Sequence, residues 1–329
     1  MSKVKIGVMS FAHMHAYGYA QALTQCAGVD FVGVADDDQA RAKAAAGQFG
    51  VKAFDSYSDM LASDIQAVVV CSENVNHRRH VALAAQSGKH ILCEKPLAAT
   101  LHDAEAIIEI VRRSDVRLMT AFPCRFHPAY KQLKASVKSD ELGKVLAIKA
   151  TNQGKCPWGW FVDKSLSGGG AVMDHTVHLV DLMRDMTGSE PVRVYAEIGN
   201  RMYGKDFDDT GILTVDFADG MFATIDCSWF RPKSYPLWGN VNMEVVGTNG
   251  AANMEMYAQN VDYFSDENAS HTYVYWGDDT NLALVSSFAD SIRQGRNVEI
   301  SGEDGMAALR VAMAAYESAK SGRAIDLRE

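Results

Sequence analysis

Three residues of this sequence have the types and placement to move a proton at a carbon–oxygen bond: Lys95, Asp174 and His178. Lys95 stands in Cys93-Glu94-Lys95-Pro96, at the end of the short apolar run His90–Cys93. Ligands of open α/β sheets bind outside the carboxyl ends of the strands, so a lysine at such an exit faces a ligand site. Most lysines are simply solvated, but a Glu-Lys-Pro turn straight after a buried strand argues against that here. Asp174 and His178 lie in GGGAVMDHTVH, residues 168–178, four apart and therefore on one helix face. The carboxylate could hold the tautomer of the imidazole, which could then take or give a proton. An isolated D-x-x-x-H is better explained as a packing pair, or with His178 as a satisfied core histidine, so the spacing needs its context.

A second candidate lies at the start of the chain, in IGVMSFAHMH, residues 6–15. The run looks like a first strand turning into a first helix, as in a dinucleotide-binding unit. Three glycines normally give the tight turn, the close approach to pyrophosphate and the helix–strand contact. Those positions are Ser10, Ala12 and His15 here, two small and one bulky. Asp36 ends the second strand, where an acidic residue accepts hydrogen bonds from ribose hydroxyls. With Asp37 and Asp38 following, a 2′-phosphate would be repelled, which favours NAD over NADP. The alternative is that these aspartates only open a helix, and Asp37 or Asp38 fits that cap better than Asp36 does. His13 and His15 form an H-x-H pair, but no third metal ligand is evident in the sequence. Packing or a phosphate contact is the preferred role, and no metal is expected.

The elements that must position these residues follow from periodicity. Apolar runs at Lys3–Met9, Asp30–Ala35, Ala67–Cys71, His90–Cys93 and Arg117–Phe122 alternate with helical stretches. Two of those stretches, ending at Phe49 and Ser87, are each followed by glycine, and Thr100 caps another. The expectation is a Rossmann-type doubly wound parallel sheet over residues 1–122. From residue 123 to 329 a strand (145–152) and a helix (171–188) precede a run of strand candidates, with hairpin signals in FADGMF and VVGTNGAA. This half is expected to be α+β, with a large, mostly antiparallel sheet covered by helices at 280–294 and 303–321, and to carry substrate binding and oligomerisation. A net charge of −9 argues against a nucleic-acid or anionic-membrane surface. Six scattered cysteines without a C-x-x-C read as reduced thiols of a cytoplasmic protein, with no signal peptide and no membrane span.

With these segments assembled, the chain resembles the Gfo/Idh/MocA family of oxidoreductases from end to end. HRRHVALAAQSGKHILCEKPLA looks like the family's central signature, GGGAVMDHTVHLVDLM is similar to its catalytic helix, and EVVGTNGAANMEM and the C-terminal SGEDGMAALRVAMAAYESAKSGRAIDL also match. The resemblance implies an NAD(P)-dependent dehydrogenase acting on CH–OH groups of a sugar, cyclitol or related polyol, and the aspartates at 36–38 make NAD the expected cofactor. It implies Lys95, Asp174 and His178 as catalytic residues, His178 taking the hydroxyl proton and Lys95 supporting the same oxygen. Expected cofactor contacts are Ser10, Phe11, Ala12, His13, Asp36, Ser72, Asn74, His77, Glu94 and Lys95. Expected substrate contacts are Arg125, Lys155, Trp158, Trp160 and His175. A homodimer or homotetramer is expected from the second-domain sheet. The chain departs from the family pattern at Ser10 and Ala12, at Glu73-Asn74 where Pro often precedes Asn, at His175 where an apolar residue is usual, and at Thr176 where glycine is usual. These departures bear on cofactor affinity and substrate class more than on fold. Two rivals are an NAD-dependent glycosidase of the same fold and a non-catalytic sensor of NAD or sugar.

Overall fold

Strand β1 (Val4–Met9) buries Val4, Ile6, Val8 and Met9, the mark of a strand covered on both faces. In the computed structural model, which describes residues 3–266, 270–275 and 277–328, it lies at the centre of a six-stranded sheet. The other strands are β2 (Val29–Ala35), β3 (Lys52–Ala53), β4 (Ala67–Val70), β5 (His90–Glu94) and β6 (Leu118–Ala121). Their order is β3-β2-β1-β4-β5-β6 and every neighbour pair is parallel. The order reverses between β1 and β4, which is the switch point where such sheets hold ligands. The crossovers are made by α1 (His15–Gln25), α2 (Gln39–Phe49), α3 (Tyr57–Leu61), α4 (His77–Gln86) and α5 (Leu101–Arg112). The caps follow the sequence: Asp38 accepts the amides of Ala40 and Arg41, Thr100 accepts that of Asp103, and Gly50 ends α2 with φ 67°.

Two compact units are present. The first takes residues up to Pro123 with Ser165–Gly168 and Thr280–Leu309; the second takes Cys124–Lys164, Gly169–Asp279 and residues from Arg310 onward. The second begins with α6 (Pro128–Lys138) and β7 (Val145–Gln153); the short α7 (Lys164–Ser167) and the long α8 (Ala171–Thr187) follow. Then come β8 (Pro191–Gly199), β9 (Thr210–Phe217), β10 (Phe222–Ser228), β11 (Asn242–Gly247) and β12 (Ala251–Glu255). The hairpin β13 (Asn260–Ser265)–β14 (Ser270–Tyr275), α9 (Thr280–Gln294), α10 (Gly302–Ser321) and β15 (Ile325–Asp326) complete the chain. The sheet order is β12-β11-β7-β10-β9-β8-β15, antiparallel except for the β7–β10 pair.

Helix α8 covers one face of this sheet, packing on β7, β9 and β10, with α6 against α8 and β12. The alternate positions Leu146, Tyr195, Ile212, Phe222 and Val246 are exposed. One expectation needs correction. Helix α9 does not cover the second sheet: it belongs to the first unit and packs on α1. An amphipathic pattern says that a helix has an apolar face, not which surface that face meets. Helix α10 gives its first residues to the first unit and the rest to the second. Among the described residues, no helix is long and apolar enough to cross a membrane.

Candidate functional site

The turn after β1 is tight without glycine. Ser10 takes the left-handed conformation with φ 71°, and its Oγ accepts the Ala12 amide at 3.1 Å. The neighbouring amides are also used within the chain: Phe11 donates to Asp36 Oδ2 at 2.6 Å, His13 to the Cys71 carbonyl at 3.0 Å and His15 to His13 Nδ1 at 3.1 Å. The two histidine rings lie 4.4 Å apart between centroids. At the far end of β5 the buried Glu94 meets them. His15 Nδ1 is 2.5 Å and His13 Nδ1 3.7 Å from Glu94 Oε1, and the Tyr19 hydroxyl donates to the same oxygen at 2.9 Å. The Lys95 amide donates to Oε2. Burial would push the Glu94 carboxyl up, but His13, His15 and Lys95 hold it well below the usual carboxylate range. The third partner of the H-x-H pair, invisible in the sequence, is therefore Glu94, 79 positions after His15.

Asp36 is fully engaged at the end of β2. Arg41 grips it with Nε to Oδ2 at 2.8 Å and a terminal nitrogen to Oδ1 at 2.6 Å, while the Phe11 and Asp38 amides donate to Oδ2 and Oδ1. A carboxylate offers about four acceptor positions, and all are taken. Asp36 is thus a separate group from the cap, which is Asp38. Arg41, five residues on, escaped the sequence reading; its place one turn into α2 was the available signal. Beyond β4, His80 Nδ1 meets Ser72 Oγ at 2.9 Å, and the buried ring of His77 lies between the carbonyls of Pro96 and Ser72 at 3.0 and 3.2 Å. These contacts fix the loop around Lys95, which is 3% exposed. Asn74 donates to the Ser167 carbonyl at 2.8 Å, while its buried Oδ1 has no hydrogen-bond partner.

In the second unit, the start of α8 is pinned by two residues that the sequence did not single out. The Asp208 carboxylate accepts the Gly170 and Val172 amides at 2.8 Å each, and the Tyr316 hydroxyl accepts those of Gly170 and Met173 at 3.1 Å while donating to Asp208 at 3.0 Å. The glycines make room: a Cβ on Gly169 would lie 2.2 Å from the Tyr316 hydroxyl oxygen, and one on Gly170 would lie 2.1 Å from the Asp208 carbonyl oxygen. One turn in, Asp174 Oδ2 accepts the Trp229 indole N–H at 3.1 Å and lies 3.2 Å from His175 Nε2. His178 Nδ1 is 3.9 Å from the Cys124 thiol. Asp174, His175 and His178 are all buried on α8.

The remaining expected substrate contacts divide. Arg125 is buried in a two-pronged pair with Asp181 at 2.6 and 2.7 Å, with Asp185 at 3.3 Å. That is a tie between the loop before α6 and α8. Trp158 is exposed and edge-on to Tyr203, whereas Trp160 stacks on Phe161 at 4.0 Å and is part-buried against the cluster that also holds Cys156, Ala171, Phe207 and Trp229. The Lys155 backbone bridges Phe230, and its amide donates to the Trp238 carbonyl. His175 Nδ1 is buried without a hydrogen-bond partner.

Both halves match family descriptions. Residues 4–122 match the oxidoreductase family with an NAD-binding Rossmann fold, and residues 130–253 match the GFO/IDH/MocA C-terminal domain. A myo-inositol 2-dehydrogenase of Thermotoga maritima is 30% identical over 81% of this chain and 81% of its own length. A D-xylose 1-dehydrogenase (NADP(+)) of Haloferax volcanii is 31% identical over 89% of this chain and 91% of its own. The crystal structure of GenD2 from gentamicin A biosynthesis, in complex with NAD, shares the fold with a TM-score of 0.91 at 24% identity, covering 100% of this chain and 97% of that one. A parallel nucleotide-type sheet, a mixed sheet carrying a buried Asp174–His178 helix, and relatives that span both lead to one conclusion: the chain belongs to the Gfo/Idh/MocA family of oxidoreductases, whose first domain is an NAD-binding Rossmann fold.

Proposed function

We propose that the chain is an NAD-dependent dehydrogenase that moves hydride between a nicotinamide and a hydroxyl-bearing carbon of a sugar, cyclitol or related polyol. The observation that carries this reading is the buried Lys95 at the carboxyl end of β5, beside the switch point of the parallel sheet. The residues fit a dinucleotide: the orphaned buried Oδ1 of Asn74, past the carboxyl end of β4, can accept from a carboxamide or a ribose hydroxyl. When bound, NAD supplies the hydride acceptor. His178 takes the proton of the reacting hydroxyl as base. Lys95 donates a hydrogen bond to the same oxygen, and Asp174 supports the acid–base pair. Proton transfer by a positioned side chain is worth about 10²–10⁴ in rate. Arg125, tied to Asp181 and Asp185, is read as structural, whereas His175 and the exposed Trp158 remain candidates for substrate contact. A cytoplasmic homo-oligomer is the fitting context, assembled through the exposed apolar positions of the second sheet.

The purified chain, screened against sugars and inositols for NADH production, is expected to turn over at least one of them. His178→Ala is expected to lower kcat at least about a hundredfold while NADH binding stays within a few-fold. Full activity in that variant removes the assignment. NADP use is a second reading with its own support, since Arg41 brings a positive charge beside Asp36 at the end of β2 and the Asp36 carboxylate is already saturated by contacts within the chain. Arg41→Ala is expected to weaken NADPH binding more than NADH binding, and Asp36→Ser to narrow the preference for NAD; unchanged ratios in both would discard these roles.

A further inference from the structure

We propose that His13, His15 and Glu94 form a site for a divalent transition cation of the zinc class at the turn between β1 and α1. Each residue offers one ligand atom, and the three lie within 4.8 Å of one another. Zinc binds nitrogen and oxygen at about 2.0–2.2 Å in tetrahedral sites, which sets donors roughly 3.3–3.5 Å apart. The His13–Glu94 separation of 3.7 Å is close to that, and His15, at 2.5 Å, must swing out by about 1 Å. His15 has room to do so, because its side chain is 38% exposed while those of His13 and Glu94 are 2% and 0% exposed. The same exposure gives a cation its way in. Two imidazoles and one carboxylate leave a fourth position open, and this ligand set suits zinc, cobalt or nickel rather than magnesium or calcium. The hydrogen bonds from Tyr19 and the Lys95 amide hold the carboxylate in place, as the surroundings of a metal ligand must.

The site gives a role to His15, which stands where the third glycine of such a turn is usual, and to its neighbour His13. A pyrophosphate is normally met by the bare amides of a glycine turn and the helix start. Here the amides of Phe11, Ala12, His13 and His15 have acceptors inside the chain. Moreover, a buried carboxylate, Glu94, stands beside the same turn. An anion placed there needs another positive partner, and a cation on this cluster supplies it. Coordination through His13 Nδ1 also takes the lone pair that now accepts the His15 amide, so that amide, at the first residue of α1, is released to face the anion. Metal and dinucleotide should therefore bind cooperatively. Only this coupling rests on the dehydrogenase reading; the metal site itself does not.

The test uses the full-length chain, untagged and stripped with a chelator. Titration with Zn²⁺ by calorimetry, and with Co²⁺ by its tetrahedral visible absorption, is expected to show one cation per chain. His15→Gln removes a partly exposed ligand, so it should fold, as circular dichroism checks; its cation affinity should drop at least about tenfold. NADH should bind at least about tenfold more tightly to the Zn²⁺-loaded wild type than to the stripped form. No stoichiometric uptake by wild type, or equal affinity in His15→Gln, overturns the site. Stoichiometric uptake with unchanged NADH affinity overturns the coupling and upholds the site. Uptake with no NADH binding in either form counts against the dehydrogenase reading while upholding the site.

Discussion

Gly170→Ala tests how α8 is held. The added Cβ would lie 2.1 Å from the Asp208 carbonyl oxygen and 2.8 Å from its Oδ1, where carbon–oxygen contacts close at about 3.3 Å. The Asp208 segment must therefore retreat by about 1 Å. That retreat spoils the carboxylate contacts to the Gly170 and Val172 amides, a helix cap worth about 1–2 kcal/mol. Crowding in a packed region adds about 1–3 kcal/mol, and the reduced freedom of the unfolded chain returns about 0.5–1 kcal/mol. The net expectation is a loss of about 1–4.5 kcal/mol in urea unfolding, with a fall in kcat, because Asp174 follows one turn later. Gly47→Ala is the control: Gly47 lies inside α2 with nothing within 4 Å of an added Cβ, so the change should gain up to about 1 kcal/mol. If Gly170→Ala unfolds within about 0.5 kcal/mol of wild type, the close approach of Asp208 to α8 is wrong.

Asp181→Ala removes the two-pronged partner of the buried Arg125 and is expected to cost about 3 kcal/mol in the same unfolding assay, whereas Arg125→Met with Asp181→Leu should cost less, since the buried pair is removed together. Burial, with His77 next to it, lowers the His80 imidazole to about 3, so the neutral folded form contributes stability above the ordinary histidine range that is lost as pH falls from about 6.5 towards 3. His80→Gln should therefore flatten the stability–pH curve in that window by up to about 1.4 kcal/mol per pH unit, and an unaltered slope would refute the assignment. His175→Leu removes the imidazole partner of Asp174 and should lower kcat about tenfold with little change in KM; His175→Gln, which keeps a donor, should recover most of it, and equal rates in both would deny His175 a positioning role.

Periodicity was enough for most elements because each signal is local. The all-apolar Ala67–Val70, the Thr100 cap and the glycine after Phe49 each declare themselves within a few residues. The short β3 and β15 hold two residues each and cannot show a period. Helix α6 goes unassigned from the sequence although His127 caps it and Pro128 opens it, because a histidine cap is a weak signal beside Ser, Thr or Asp. The position of α9 was illegible for a different reason: its apolar face is readable, but its partner α1 lies at the opposite end of the chain.

The same distinction governs the site. The proposed site residues Lys95, Asp174 and His178 were visible through short motifs, whereas what holds the start of the helix bearing Asp174 and His178 comes from afar: Asp208 and Tyr316 lie 38 and 146 positions from Gly170. These distant groups make the two helix starts alike. At α8 the first amides are given to a carboxylate and a phenol; at the turn before α1 they are given to Asp36, Ser10, a carbonyl and an imidazole. Neither start presents a row of bare amides to a ligand. At α8 the pinned helix start favours the negative charge of Asp174 in its first turn, and Trp229 and His175 meet that carboxylate. Before α1 the same arrangement leaves an anion without its usual amide donors, so the positive charge proposed for that turn is that of a cation held by His13, His15 and Glu94.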